Sequence, residues 1–296
     1  MDWFKTMLCA TLLMLIATSL PAENLIKINA LNYPVWVVRD RQTVPLLPGS
    51  ELRDGDLLRT GKRGRVLLQL ADASALKLGG SASFRIESVR MFSNQGKSYL
   101  ELGLEVLRGA FRFTSALFGD ASVGHRVKVR IGAITAGVRG TDIWGRSNLE
   151  QDLVCLIEGT ITVDAAGEAT VILEQALSIY VKPRDEAALP VAQVDAAQLQ
   201  RWAGETELDT ALGIASEDGE WQLVLMSLSD IDNLDLVLRK FHDKGFAVQA
   251  VSVQIGGNTW QRLLLPGFVS SEDAHNARDQ IAPYLGIDDA WVWHLK

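Results

Sequence analysis

Residues 221–296, WQLVLMSLSDIDNLDLVLRKFHDKGFAVQAVSVQIGGNTWQRLLLPGFVSSEDAHNARDQIAPYLGIDDAWVWHLK, decide the fold. The first eight are apolar and β-prone. Ser229 or Asp230 then starts a helix in which Leu234, Val237, Leu238 and Phe241 recur at helical spacing. Gly245 stands where a left-handed C-cap is wanted, after Lys240, His242 and Lys244. Residues 247–255 read as a second strand, and Gly256-Gly257-Asn258 as a turn. Residues 260–265 read as a third strand, which Pro266-Gly267 ends. Ser270 or Ser271 opens a second helix with Ala274, Ala277, Ile281 and Leu285 on one face. Gly286 closes it, and residues 290–295 form the last strand. Two βαβ-type halves of this size build an α+β unit, a four-stranded antiparallel sheet with both helices on one face. The other face is left bare, and a bare sheet face carrying aromatic side chains is a binding platform.

Strand parity says which residues occupy that face. With Leu223 and Leu225 toward the helices, Gln222 and Val224 face outward. Trp260, Arg262 and Leu264 share one side of their strand, and an inward Val292 turns Trp291 and Trp293 outward. Indole faces pack on the apolar side of a pyranose ring, and amide and guanidinium groups bind its hydroxyl, acetamido and carboxylate oxygens. A neutral or weakly acidic sugar chain fits this set. The competing assignment puts the tryptophans in the core, since a chain with eight of them buries some.

The other 220 residues read differently. Lys5 precedes an apolar run at residues 7–20, too short to cross a membrane comfortably, with Ala22 before a cut at Glu23. Residues 1–22 are therefore expected as a cleaved export signal, leaving a periplasmic chain with no stable membrane span. Cys9 lies in that run; Cys155, within LVCLI, reads as a small buried hydrophobe. From residue 23 to 182 short apolar runs recur about every ten residues between Gly, Asp, Asn and Ser, the pattern of an all-β domain, sandwich or short solenoid. Arg126, Lys128 and Arg130 alternate with apolar residues, as in a nucleic-acid stripe or, as we read it here, a solvated strand face. Arg139 and Asp142 are placed to pair across a Gly-Thr turn. Residues 183–220 hold nine acidic and two basic residues and two prolines near the start, and read as a mostly flexible acidic linker with a short helix near Leu199 and Trp202. The net charge of −7 argues against nucleic acid as partner of the whole chain.

The N-terminal unit resembles the FecR domain over about residues 49–163. The resemblance rests on Gly55-Asp56, Arg59-Thr60-Gly61, Gly64-Arg65-Val66, Leu68-Gln69-Leu70, Leu78-Gly79, Leu107-Arg108-Gly109, the run from Gly137 to Asp142 (GVRGTD), and Glu158-Gly159. Ala73 departs from the Gly usual in that family's Asp-Gly-Ser turn. Residues 221–296 resemble a SPOR domain, an RNP-like module of bacterial envelopes and cell division. That resemblance implies binding of peptidoglycan glycan strands stripped of their stem peptides. Of the family's Gln-x-Gly-Ser-Phe strand only Ser227 remains, with Val224 at the Gln position; the Trp-x-Arg pattern falls on Trp260 and Arg262. The resulting site set is Gln222, Ser227, Trp260, Arg262, Trp291 and Trp293.

No catalytic pattern is present. His125, His242, His275 and His294 lack metal-ligand spacing, and there is no nucleophile elbow or phosphate loop. The expectation is a non-catalytic envelope protein without cofactor or metal, whose FecR-like unit meets an envelope partner. Two alternatives stand beside it. One is a FecR-type regulator, disfavoured by the few residues before the apolar run; the other is a protein-docking surface built on Met226, Leu228 and Leu264.

Overall fold

A computed structural model of the chain describes residues 25–94, 97–116, 123–229 and 232–295. The expected leader and Cys9 lie outside these residues, as do the side chains of His125 and Arg139. The first strands are short: β1 (Ile26–Asn32), β2 (Val35–Arg39), β3 (Gln42–Pro45), β4 (Glu51–Leu52), β5 (Leu57–Thr60), β6 (Arg65–Leu70) and β7 (Ala75–Leu78). In β6, Val66, Leu68 and Leu70 are buried and the residues between them are not, the period of two that the sequence writes. Longer strands follow: β8 (Ser83–Asn94), β9 (Lys97–Thr114), β10 (Val123–Ile131), β11 (Ile134–Ser147) and β12 (Gln151–Ala165), then β13 (Val171–Leu173) and β14 (Ser178–Pro183).

β9, β11 and β12 each serve two arms of the sheet. In one arm, residues 142–147 of β11 pair with residues 109–114 of β9, which pair with β7, and the ladder runs on through β6 to β1. In the other, the first half of β11 pairs with β10, which runs parallel to β9; β8 then joins β9 to β5 and β2. The β11–β12 register shifts between Arg139 and Asp142, where the chain passes from one arm to the other. A Cβ on Gly159 would sit 2.6 Å from the Gly140 carbonyl oxygen, and Gly159 has φ +93°, so only glycine fits this bend. A single core, including Leu68, Phe84, Leu104, Phe113, Val129, Ile143 and Leu156, fills both arms.

The Arg139 side chain, expected to pair with Asp142, lies outside the described residues; Asp142 has a partner from another strand. Arg112 grips Asp142 with two parallel bonds, Nε to Oδ1 at 3.0 Å and Nη2 to Oδ2 at 2.6 Å. Arg112 and Asp142 sit two positions apart in the cross-strand register, out of reach of local sequence spacing. Arg126, Lys128 and Arg130 are exposed on β10; Arg130 pairs with Glu87 and Glu105, and Arg126 lies over the Phe92 and Tyr99 rings.

Residues 183–220 are not a flexible tether. They form β15 (Ala192–Gln193) against β14, α1 (Ala196–Thr206) capped by Asp195, a 3-10 turn at Thr210–Leu212, and β16 (Ala215–Ser216). β16 pairs with β1 on one side and with Phe268 on the other, so the sheet continues into the C-terminal unit. Tyr33 lies 6.2 Å from both the Phe246 and the Phe268 ring centroids, and all three belong to the main core. Acidic residues of this segment have cationic partners on the β unit: Asp209 with Arg65, Glu207 with Lys77 and Arg112, Glu205 with Arg146.

The C-terminal unit follows the expected order: β17 (Trp221–Leu228), α2 (Leu234–His242), β18 (Gln249–Ile255), β19 (Asn258–Phe268), α3 (Ser271–Leu285) and β20 (Trp291–His294). Ser270 caps α3 by accepting from the Asp273 N–H, and Gly286 ends it in the left-handed region. Two boundaries differ. α2 begins at Leu234, with residues 230 and 231 outside the described set. β19 runs through Pro266-Gly267, because β17 pairs Trp221 with Phe268 and Leu223 with Leu265; Pro266 and Gly267 together oppose the single Gln222 and form a bulge, where proline needs no ladder partner. His242, the last residue of α2, is half-buried and bonds the Val248 carbonyl through Nε2.

Cys155 is fully buried in a second, smaller apolar cluster with Ala110, Trp144, Leu153 and Ile179. Burial first, and then the Asp142 charge, push its thiol up to about 11. Iodoacetamide at pH 8.5 is therefore expected to modify the native protein at less than about a tenth of the rate seen in urea, because both access and thiolate fraction are low. Equal rates, read by intact mass, would place the thiol at the surface.

Candidate functional site on the C-terminal sheet

The strand order is β20-β17-β19-β18, with Leu223, Leu225, Leu263, Leu265 and Val292 packed into the main core. The register fixes what the opposite face carries. Gln222 lies opposite Trp293, Val224 opposite Trp291 and Leu264, and Trp260 opposite Val253. Arg262 lies between Ser227 and Val251 on its two neighbouring strands. Gln222, Ser227, Trp260, Arg262, Trp291 and Trp293 thus come together on one face.

Ser227 reaches it only through a bulge. β17 pairs Val224 with Leu264 but Met226 with Leu263, so Leu225 is the extra residue. Strict alternation would turn Ser227 to the helices and Met226 outward. The bulge reverses both, and Met226 and Leu228 pack against the core instead. The apolar docking patch of Met226, Leu228 and Leu264 is not formed: only Leu264 is on the platform side, and it is 1% exposed.

The guanidinium of Arg262 is the electrostatic centre of this face. Its Cζ lies 4.7 Å from the Trp293 ring centroid and 5.9 Å from that of Trp291. Its Nε is buried without a hydrogen-bond partner, and so is Oε1 of Gln222. Gln222 is 5% exposed, so it lies within the platform and not on its surface. The face therefore holds a cation and an amide with bonding capacity unspent. Beside it a depression of about 420 Å3 is lined by Ser227, Trp291, Asp288 and Asp289. Val251 and Val253, not singled out from sequence, extend the face onto β18; the alternation of residues 249–255 carried that signal. Among the described residues no group of His, Cys, Asp and Glu could hold a metal ion, and no helix is long and apolar enough to cross a membrane.

A family model described as FecR protein matches residues 56–162, and a SPOR domain model matches residues 217–292. The chain carries a FecR region followed by a SPOR domain, modules of regulation and binding in the cell envelope and not of catalysis. No curated protein matches the chain. Two crystal structures of a "putative anti-sigma factor" from Parabacteroides distasonis are similar to it, each with a TM-score of 0.38. One is 16% identical over 50% of this chain and 64% of its own, so this chain spans less than two thirds of that length. The other is 12% identical over 81% of this chain and 98% of its own.

Proposed function

We propose that this is a non-catalytic periplasmic envelope protein whose SPOR domain binds glycan strands of peptidoglycan through Ser227, Trp260, Arg262, Trp291 and Trp293, with Gln222 supporting them from within the sheet. The observation that carries this reading is Arg262, a cation bracketed by two indoles with its Nε unpaired. An extended sugar chain offers apolar ring faces to the tryptophans and oxygen acceptors to the guanidinium. Val224 in the family's Gln position does not undo the reading, because Ser227 and Arg262 lie side by side and supply polar contacts there. On this reading the leader is removed near Glu23 and the mature chain is exported.

Co-sedimentation with purified sacculi, before and after amidase removal of stem peptides, tests it. Binding is expected to rise with amidase treatment. Arg262→Ala is expected to weaken it about ten- to hundredfold, the equivalent of the roughly 1.5–3 kcal/mol of a hydrogen bond to a charged group. The melt should hardly move, since truncation on this face opens no core cavity. Absence of the wild-type chain from both pellets would overturn the proposal.

A further inference from the structure

The face of the β unit under α1 resembles a binding site that the chain has filled with its own segment. Leu199 and Trp202 of α1, with Val194 before it, cap the small cluster of Trp144, Cys155 and Ile179. Trp202 lies flat on Trp144, ring centroids 4.8 Å apart and planes 3° from parallel. Around this apolar centre stand four cations from four different strands: Arg65 on β6, Lys77 on β7, Arg112 on β9 and Arg146 on β11. Carboxylates of the segment meet all of them, Glu205 reaching Arg146 at 3.3 Å and Asp209 reaching Arg65 at 3.3 Å. The backbone comes close as well: a Cβ on Gly79 would lie 2.6 Å from the Glu205 carbonyl oxygen.

Three features mark this as an exchangeable fit. The cluster is separate from the main core, so lifting α1 leaves that core intact. The ion pairs are partly exposed, and pairs of that kind hold weakly. The fit is also incomplete: Nε1 of Trp144 and Nε of Arg146, both donors, are buried without acceptors. Next to Arg146 and Glu205 an opening of about 220 Å3 runs to Arg108 and Ser147, room for a longer ligand.

We propose that the face built by Trp144, Arg65, Lys77, Arg112 and Arg146 is the docking site of the FecR region for an acidic amphipathic helix of a partner protein, and that residues 195–209 occupy it in cis as a competitor. The partner helix presents an aromatic or aliphatic stripe to Trp144 and carboxylates at its C-terminal end to the arginines. Because the competitor is tethered, its effective concentration is in the millimolar range, on the order of 1 mM, and a free ligand sees a closed site.

The test uses the full chain and a fluorescein-labelled synthetic peptide of residues 195–209. In the Leu199→Ala/Trp202→Ala variant, Cys155 should react with iodoacetamide at least about tenfold faster than in wild type, since that cap shields the thiol. The peptide should bind this variant at least about tenfold tighter than wild type and restore protection of Cys155. A peptide with both glutamates as Gln and Asp209 as Asn should bind at least about tenfold more weakly, because the basic rim then finds no charge. A second chain, Glu205→Gln/Glu207→Gln/Asp209→Asn, keeps the apolar helix and should open the site to the acidic peptide in the same sense. A variant that melts cooperatively but takes up no peptide, or takes both peptides equally, overturns the proposal. Unfolding of both variants overturns it too, because α1 would then be part of the fold and not a ligand of it.

Discussion

Phe268→Ala lowers the stability of the whole chain by about 3–5 kcal/mol, the usual cost of emptying a buried aromatic site, and does so in one transition. Phe268 is fully buried at the end of β19, where it pairs with Trp221 on β17 and with Ala215 on β16, and its ring faces Tyr33 from the β unit. The cavity therefore opens where the two units share their core. For a chain of this size that corresponds to a fall in Tm on the order of 10 °C. Circular dichroism in the far ultraviolet and tryptophan fluorescence should move together, because β16 and the Tyr33–Phe268 contact join the SPOR domain to the rest. Two transitions in the wild type, with only one of them moved by the substitution, would restore the picture of two units on a tether.

That picture was natural from the sequence, and its failure has a physical cause. Composition reports that residues 183–220 are acidic, but whether their carboxylates face water or cations depends on strands 59 to 144 residues earlier in the chain. Arg65, Lys77 and Arg112 are half-buried residues between core positions of their own strands, and what they face is another segment. By contrast, the C-terminal unit was legible because its signals are local. Helical spacing in α2, the Ser270 cap, the Gly256-Gly257 hairpin and Gly286 all act within a few residues. The platform was legible to the same extent. Parity placed Trp260 with Arg262 and Trp291 with Trp293, whereas the bulge at Leu225, which turns Ser227 outward and Met226 inward, obeys no local rule. In the β unit Gly140 of the GVRGTD motif and Gly159 of the Glu158-Gly159 motif stand at the bend, but the partner of Asp142 comes from a strand thirty residues earlier.

The same division between a legible residue and an illegible partner gives the second large effect. Asp56, in the Gly55-Asp56 motif, is 1% exposed and accepts from Arg39 through Nε at 2.8 Å and Nη2 at 2.6 Å, and from the Arg53 N–H at 2.9 Å. Arg39 lies on β2, keeps about a third of its side chain in water, and also donates to the Glu51 carbonyl. The two truncations are therefore unequal. Arg39→Ala leaves a buried carboxylate with a single backbone donor, and breaking a buried pair in that way costs about 3–5 kcal/mol. Asp56→Ala lets Arg39 turn toward solvent and orphans only the Arg53 N–H, a cost of about 1–3 kcal/mol. Removing both takes away the stranded charge, so Arg39→Ala/Asp56→Ala should be more stable than Arg39→Ala alone, a coupling that additive sites do not show. Urea titrations at pH 7 measure all four corners of the cycle through their midpoints at constant m. If the two single variants lose the same amount and the double variant loses their sum, the Asp56 carboxylate is not the buried, singly supported charge that its geometry describes.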